Sequence, residues 1–477
     1  MKKKIVQKTN IVFILADDHG AWAMGCSGNN EIRTPNLDRL AKEGIRFENF
    51  FCTSPVCSPA RASILTGRIP SQHGIHDFIA RGGLGENSIE YLQGQSGYTD
   101  ILSENGYTCA LSGKWHLGDN IKPQKSFSRW YAHQRGSGPY YNAPMIRDGE
   151  MINEPGYITD KITDEALKYI DEFKDSVNPF YISVHYTAPH GPWIDNHPQD
   201  IVESYEDCSF NTCPQEPLHP WYAQLTRKVQ PNIRENLKGY YAAITAMDIN
   251  IGRILKKLDD LQLRENTLIC FMGDNGFSCG QHGFWGKGNG TFPLNMYDSS
   301  VKVPAIFSHP RRIPQNVVSD AMLSQYDFMP TLLEYVGIAN TEANILPGKS
   351  FLPVLEGRCA DENESIIVCN QLDNKAVYDE YGPVRMIRSK QYKYIHRYPY
   401  GPHEFYDLVN DPDENKNLID DPSKHKVIKE MKSLLDEWFF KYVRPELDGS
   451  HEAVYGRGQR TLAGPFAKGA QAFNKLK

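Results

Sequence analysis

The sequence predicts an α/β fold: a large mixed, mainly parallel sheet flanked by helices, followed by a smaller C-terminal antiparallel sheet plus helix. Three observations predict it. Short apolar runs alternate with amphipathic stretches through the first three quarters of the chain. Four of these runs lead straight into polar segments bearing glycine or proline. Around residue 360 the texture changes to short, closely spaced strand-like segments.

The four runs are Ile11–Leu15, Thr108–Leu111, Phe180–Tyr186 and Thr267–Met272. They end in Asp17-Asp18-His19-Gly20, Gly113-Lys114-Trp115-His116, Ala188-Pro189-His190 and Gly273-Asp274-Asn275-Gly276. In open α/β sheets the loops after the carboxyl ends of parallel strands gather at one edge, where ligands bind. Four polar loops far apart in sequence are therefore expected to meet. Between Ile233 and Leu263, Leu237, Tyr241, Ile244, Ile251, Leu255 and Leu258 recur at helical spacing, which predicts one long core-packed helix. Beyond residue 360, Ser365–Gln371, Val384–Ile387, Tyr392–His396 and Glu404–Leu408 are expected to form the small sheet. A helix follows, with Val427, Met431, Leu434, Leu435, Trp438 and Tyr442 expected on its inner face. This divides the chain into a catalytic domain, 1–360, a small α+β subdomain, 361–450, and a basic tail, 451–477, read by default as solvated although it is able to fold back toward an anionic site.

The chain has 477 residues, 40% hydrophobic and 23% charged, a globular composition too long for a single core. A formal net charge of -6 speaks against nucleic acid as a partner. No apolar run approaches the ~20 residues that cross a bilayer, so no membrane role is expected. The start, Met1-Lys2-Lys3-Lys4, resembles the charged end of a signal peptide, but the apolar run Ile11–Ala16 is short and ends in Asp17-Asp18. That run reads as a buried strand and the chain as cytoplasmic, unless an export signal was removed. Ten cysteines without regular spacing do not form a disulfide framework. Cys208 and Cys213 read as separate thiols; no second pair completes a zinc site.

The most specific segment is Cys57-Ser58-Pro59-Ala60-Arg61, followed by Ala62-Ser63-Ile64-Leu65-Thr66-Gly67-Arg68. Pro59 suits the first turn of a helix, which puts residue 57 at a helix N-terminus, where free amides and the dipole favour an anion. This segment resembles the signature of the sulfatase family: Cys or Ser, any residue, Pro or Ala, any residue, Arg, with Thr-Gly a few residues on. The resemblance is to the type I, Cys-type, formylglycine-dependent members of the alkaline-phosphatase-like superfamily. It implies that a formylglycine-generating maturase oxidises Cys57 to an aldehyde that hydrates to a geminal diol. A serine that attacked a sulfate ester would be left sulfated with no easy internal release. A geminal diol attacks with one hydroxyl and uses the second to expel sulfate, splitting one hard step into two.

Asp17, Asp18, Asp274 and Asn275 offer only oxygen, the preference of a hard cation such as calcium or magnesium. They fall where the family places its calcium ligands, with the modified Cys57 as a further ligand. Ligand type alone leaves magnesium open. A sulfate ester gains charge on its leaving oxygen, so fixed cations stabilise the transition state. The resemblance implies that Arg61 orients the hydrated aldehyde, and that Lys114 and Lys287 clamp sulfate oxygens. It makes His116 the base when sulfate leaves and His190 the donor to the departing alcohol, a role suited to a group titrating near neutrality, with the two roles open to exchange. His282 is left out of the site. His185, inside a strand, is expected as a hydrogen-bonded core residue.

The resemblance extends from Asp17 through Lys287 and the segment Val301-Lys302-Val303-Pro304 to the strand-rich region Tyr392–Leu408. Two regions, Lys122–Asn153 and Asp195–Val229, match nothing assignable. Their aromatic, His and Arg residues (Trp130, His133, Arg135, Tyr140, Tyr141, Trp221) suggest a wall of a sugar pocket. The expected reaction is hydrolysis of a sulfate monoester, on a sulfated sugar by an exo-acting enzyme. The competing readings are a phosphonate monoester or phosphodiester hydrolase with the same nucleophile, and a non-catalytic binder of sulfated glycans.

Overall fold

The computed structural model describes residues 8–222, 232–358, 366–367 and 376–476. Asn10–Asp17 is buried at all eight positions, because both faces of this strand are covered. Ile11, Phe13 and Leu15 face a core that includes Ile64, Leu65, Tyr98 and Phe328. Val12, Ile14 and Ala16 face the opposite core, with Ile162, Ala166, Ile251 and Leu255 from the helices Ile158–Phe173 and Ile233–Asp260.

Among the described residues this strand sits in an eleven-stranded mixed sheet. Its central five strands run parallel in the order Thr267–Gly273, Asn10–Asp17, Phe180–Pro189, Thr108–Gly113, Arg129–His133. All four apolar runs expected as strands are therefore adjacent in the centre. The antiparallel strands Tyr141–Arg147 and Glu150–Tyr157 continue one side. Ala305–Ser308, Ile45–Phe47, Val317–Ser319 and Ile366–Ile367 continue the other.

Two expectations are corrected here. Ile366–Ile367, expected in the small sheet, pairs instead with Val317–Ser319 at the edge of the large one; the rest of Ser365–Gln371 lies outside the described residues. The small sheet is built from Ala376–Tyr381, Val384–Ser389, Tyr392–Arg397 and Glu404–Asp407, all antiparallel. The region Lys122–Asn153 is also not mainly a pocket wall. Trp130, His133 and Tyr140 are buried, and Trp130 packs against Trp115 with ring centroids 5.4 Å apart.

The helix His425–Tyr442 covers the small sheet with Met431, Leu435 and Phe439 buried. Leu434, expected inside, is 49% exposed. One residue along a helix turns about 100°, so Leu434 and Leu435 cannot both face the same sheet squarely. The stretch beyond His451 folds back, the alternative to a solvated tail. Val454, Gln459, Ala463 and Phe473 are buried, and Gln459 bridges to Ile79 on one side and Phe473 on the other. Among the described residues no helix is long and apolar enough to cross a membrane.

Candidate active site

The carboxyl ends of the central strands deliver the expected loops to one place. Asp17 ends its strand, and Lys114, His190 and Asp274 each directly follow theirs. Gly113 permits the closest approach: its φ is +115°, and a Cβ there would lie 1.9 Å from the His185 carbonyl oxygen. Without that side chain, Lys114 N donates to the same carbonyl at 2.8 Å. Cys57 is the first residue of the helix Cys57–Thr66, which is buried throughout and closed by Gly67 at φ +66°.

The side chains form one dense cluster of charge. Cys57 Sγ donates to Asp17 Oδ1 at 3.4 Å and accepts from Lys287 Nζ at 2.8 Å. Lys114 Nζ donates to Asp17 Oδ2 at 2.5 Å. Arg61 Nε donates to Asp274 Oδ2 at 2.9 Å. Asp18 is paired with Lys287 and accepts from Asn275 Nδ2 at 2.8 Å. Its backbone is held at φ +63°, a left-handed conformation that aspartate tolerates better than most residues. His190 Nε2 faces Asp18 Oδ2 at 3.7 Å, while its Nδ1 donates to the Gly191 carbonyl at 2.8 Å. His190 is the half-buried member of the group; its side chain is 28% exposed.

Electrostatics sort these groups. Burial alone would raise the Asp17 carboxyl, but Lys114, His190, Arg61 and Lys287 hold it well below the usual range. Burial and the neighbouring Asp17 push Asp274 up to about 6. Burial and Asp17 also push the Cys57 thiol up to about 12, so the unmodified cysteine is a poor nucleophile. His116 is driven well below the imidazole range by burial and Lys114 and is neutral at pH 7.

The donor set fits a hard divalent cation. Asp17, Asp18 and Asp274 each offer an oxygen, these oxygens lie within 4.8 Å of one another, and all three residues are buried. Asn275 Oδ1 is buried without a hydrogen-bond partner, a neutral oxygen ready for a ligand role. A second group, Asp17, Cys57 and His190, also has ligand atoms within 4.8 Å.

The eight residues singled out for the metal, the nucleophile and the cations are thus brought together with His190, and His116 lies beside them under the influence of Lys114, Arg61 and Asp17. His185 is a core residue whose Nδ1 meets the Lys114 carbonyl at 3.2 Å. His282 stacks on Tyr297, with centroids 3.9 Å apart, and lines a separate cleft of about 620 Å³ that contains none of the site residues. Cys208 and Cys213 are free thiols. Sequence reasoning missed three supports. Tyr140 Oη donates to the His190 carbonyl at 2.7 Å. Gly136 packs so closely that a Cβ would lie 2.2 Å from His116 Cε1. The Ile79 carbonyl accepts from His116 Nε2 at 3.0 Å. An invariant-looking motif marks none of them, since each acts through backbone or packing.

This chain belongs to the sulfatase family, sulfuric ester hydrolases of the alkaline-phosphatase-like fold: the family profile, "Sulfatase", matches residues 9–338. A second profile, the C-terminal region of N-sulphoglucosamine sulphohydrolase, matches residues 280–440. The chain is 29% identical to an N-acetylglucosamine-6-O-sulfatase of Bacteroides thetaiotaomicron, over 97% of this chain and 91% of that one. It is 30% identical to an ulvan-active sulfatase of Formosa agariphila, over 90% and 81%. Among solved structures, one in complex with its substrate D-glucosamine-2-N,6-O-disulfate superposes with a TM-score of 0.73 at 28% identity, covering 93% of this chain and all of the other. A phosphonate monoester hydrolase of Agrobacterium radiobacter shares the fold, with a TM-score of 0.68 at 19% identity over 91% and 96%. The family typically uses calcium and formylglycine.

Proposed function

We propose that this sulfatase releases sulfate from a sulfated sugar, acting on a terminal residue, with formylglycine made from Cys57 and a bound calcium ion. One observation carries the reading: Cys57 opens a buried helix with Lys287 Nζ at 2.8 Å and the Asp17 carboxylate at 3.4 Å, beside the buried trio Asp17, Asp18 and Asp274. The relatives that act on glucosamine sulfates and on ulvan support the sugar class.

Asp17, Asp18, Asp274, Asn275 and residue 57 would hold the calcium, which supplies a positive centre for sulfate oxygens. Formylglycine supplies a hydrated aldehyde as the nucleophile where a thiol pushed to about 12 is inert. The chain's own residues do the rest. Three carboxylates here face three cations, Arg61, Lys114 and Lys287, so the cluster is balanced before a divalent ion enters. With calcium the pocket carries net positive charge and attracts a sulfate. Lys114 and Lys287 then clamp the sulfate oxygens as charge grows on the leaving oxygen. Arg61 is fixed from two sides, by Asp274 and by the Lys114 carbonyl, and orients residue 57. His116, neutral and holding its only ring proton on Nε2 against the Ile79 carbonyl, keeps Nδ1 free to take a proton. His190, partly exposed, keeps one proton on Nδ1 against the Gly191 carbonyl, and in its imidazolium form gives the second, on Nε2 at the cluster side, to the departing alcohol, returning to neutral imidazole.

The mass of the Cys57 peptide from natively matured protein tests this reading. It should be about 18 Da below the thiol form, and the same preparation should release sulfate from sulfated glucosamine or other sulfated sugars. An unmodified thiol in active protein would overturn the nucleophile. Faster hydrolysis of phenyl phosphonate than of nitrophenyl sulfate would overturn the substrate class.

A further inference from the structure

The peptide unit of Ile79 joins the two sides of the catalytic centre. Its N–H donates to Ser58 Oγ at 3.0 Å, next to the nucleophile. Its carbonyl accepts from His116 Nε2 at 3.0 Å. An acceptor at that position settles the tautomer: Nε2 carries the proton and Nδ1 does not. Nδ1 is buried and has no hydrogen-bond partner among the described residues. His116 itself sits at φ +58°, so its ring is placed by its contacts rather than by a relaxed backbone.

Ile79 is in turn held by a segment some 380 residues away. Gln459 N donates to the Phe78 carbonyl at 2.7 Å and Ala80 N donates to the Gln459 carbonyl at 2.8 Å, so the two bonds flank Ile79 on both sides. The Gln459 side chain grips the same segment a second time. Its Oε1 accepts from His76 N at 2.9 Å, and its Nε2 donates to the carbonyls of Gly74 and Thr461, both at 3.0 Å. Gln459 is fully buried. The neighbouring Gly458 N donates to Asp77 Oδ2 at 2.8 Å, and Asp77 Oδ1 accepts from Tyr381 Oη at 2.8 Å. The strap is thus anchored across the whole loop 74–80.

We propose that Gln459 is a positioning residue for catalysis: by fixing the Ile79 peptide, the C-terminal strap holds His116 in the tautomer and orientation that leave Nδ1 as the proton acceptor. This rests on the reading of His116 as the base. Gln459 touches no reacting atom. Its side chain supplies the only hydrogen bonds by which this strap residue fixes the loop independently of its own backbone. Losing them lets the loop, and with it the histidine's acceptor, shift.

The test combines a double-mutant cycle with a spectroscopic readout. In matured enzyme, Gln459→Ala should lower kcat for nitrophenyl sulfate about tenfold or more while KM stays within about twofold. In the His116→Ala background the same change should add little, because the two residues act through one contact. Independently of activity, ring 15N shifts of His116, assigned by their loss in His116→Ala, should show the Nε2-protonated form in the parent and a tautomer mixture in Gln459→Ala. Additive losses of kcat, or an unchanged ring signature in Gln459→Ala, would overturn the strap's role while leaving the catalytic reading intact. Parental turnover by His116→Ala alone would sink that reading instead. If Gln459→Ala does not fold, Gln459→Glu, which keeps the acceptor for His76 N, carries the same comparisons.

Discussion

Arg61 Nη1 donates to the backbone carbonyl of Lys114 at 3.1 Å, so the guanidinium from the nucleophile's helix is locked to the strand end that aims Lys114 at Asp17. Two cations that would repel in water are thereby held side by side, each neutralised by its own carboxylate, Asp274 for Arg61 and Asp17 for Lys114. Breaking a buried pair of this kind leaves an uncompensated charge, which is far costlier than the pair is stabilising.

On the proposed calcium reading, Lys287 and the ion would compete for the same carboxylate, because Lys287 is paired with Asp18. Lys287→Met should therefore bind calcium more tightly than the parent while losing about 10²- to 10³-fold in kcat, the cost of one transition-state donor. Calorimetric titration with calcium and steady-state kinetics give the two signs. Weaker calcium binding in Lys287→Met would refute the competition.

If calcium is bound as proposed, removing it should take away the ligand that ties Asp17, Asp18 and Asp274 together, leaving only their ion pairs with Arg61, Lys114 and Lys287. A chelator should lower the melting temperature, and calcium added at about 100 times its Kd should restore about 2.7 kcal/mol of stability. Asp274→Asn should abolish that calcium-dependent gain. A calcium response retained in full by Asp274→Asn would remove Asp274 from the ligand set.

Gly136→Ala should act first on His116, since the added Cβ would meet its ring at 2.2 Å. The ring lies between the Ile79 carbonyl and this wall, so the added Cβ would push it against its own hydrogen-bond acceptor. Overpacking of this kind costs about 1–3 kcal/mol, and a catalytic group displaced by about 1 Å loses about 10²-fold in rate. Thermal melts and kcat measure both, and a fully active Gly136→Ala would show that the 135–138 loop gives way easily.

Mild acid should destabilise the protein through its buried histidines. Burial pushes His76, His133 and His309 down to about 4, and His197 to about 3. A base whose folded value is depressed binds fewer protons folded than unfolded, so stability is full above the unfolded value of about 6.5 and drains as pH falls toward about 4. Asp77 and Asp248, pushed up to about 6 by burial, and Asp327, pushed up to about 7, act in the opposite sense: their stabilisation is present at low pH and lost as pH rises through those values. The histidines are more numerous and more strongly shifted, so urea midpoints should fall between pH 7 and pH 5. A rising midpoint would mean that the carboxyl groups dominate.

The parts of the fold that were readable in the sequence are those where a local signal and a tertiary role coincide. Ile11–Leu15 is apolar without interruption, and Phe180–Tyr186 is broken only by Ser183 and His185, because both faces of each strand are covered; the polar residues that follow each run line the candidate site. Val317–Ser319 and Ala305–Ser308 are three and four residues long and carry too little pattern to be distinguished from loop. Trp130 and Tyr140 carry a composition shared by sugar pockets and by cores, and only the sheet's extension through Arg129–His133 decides for core. The residues proposed for the metal and the nucleophile could be picked out because that chemistry needs side chains of fixed type, and the fold brings them together. The Ile79 carbonyl and the Gln459 strap were not, because a backbone acceptor leaves no mark on residue identity.

Order of synthesis gives the strap a further meaning. Residues 76 and 459 are 383 positions apart and share a hydrogen bond. At roughly 5–20 residues per second, translation leaves a gap of roughly 20–80 s between the two emerging from the ribosome. Cys57 is only 3% exposed in the fold, so on the proposed reading an enzyme that oxidises it needs the chain open around residue 57. Until residue 459 emerges, loop 74–80 lacks its hydrogen bonds to that residue, and the Ile79 peptide beside Ser58 is correspondingly less constrained.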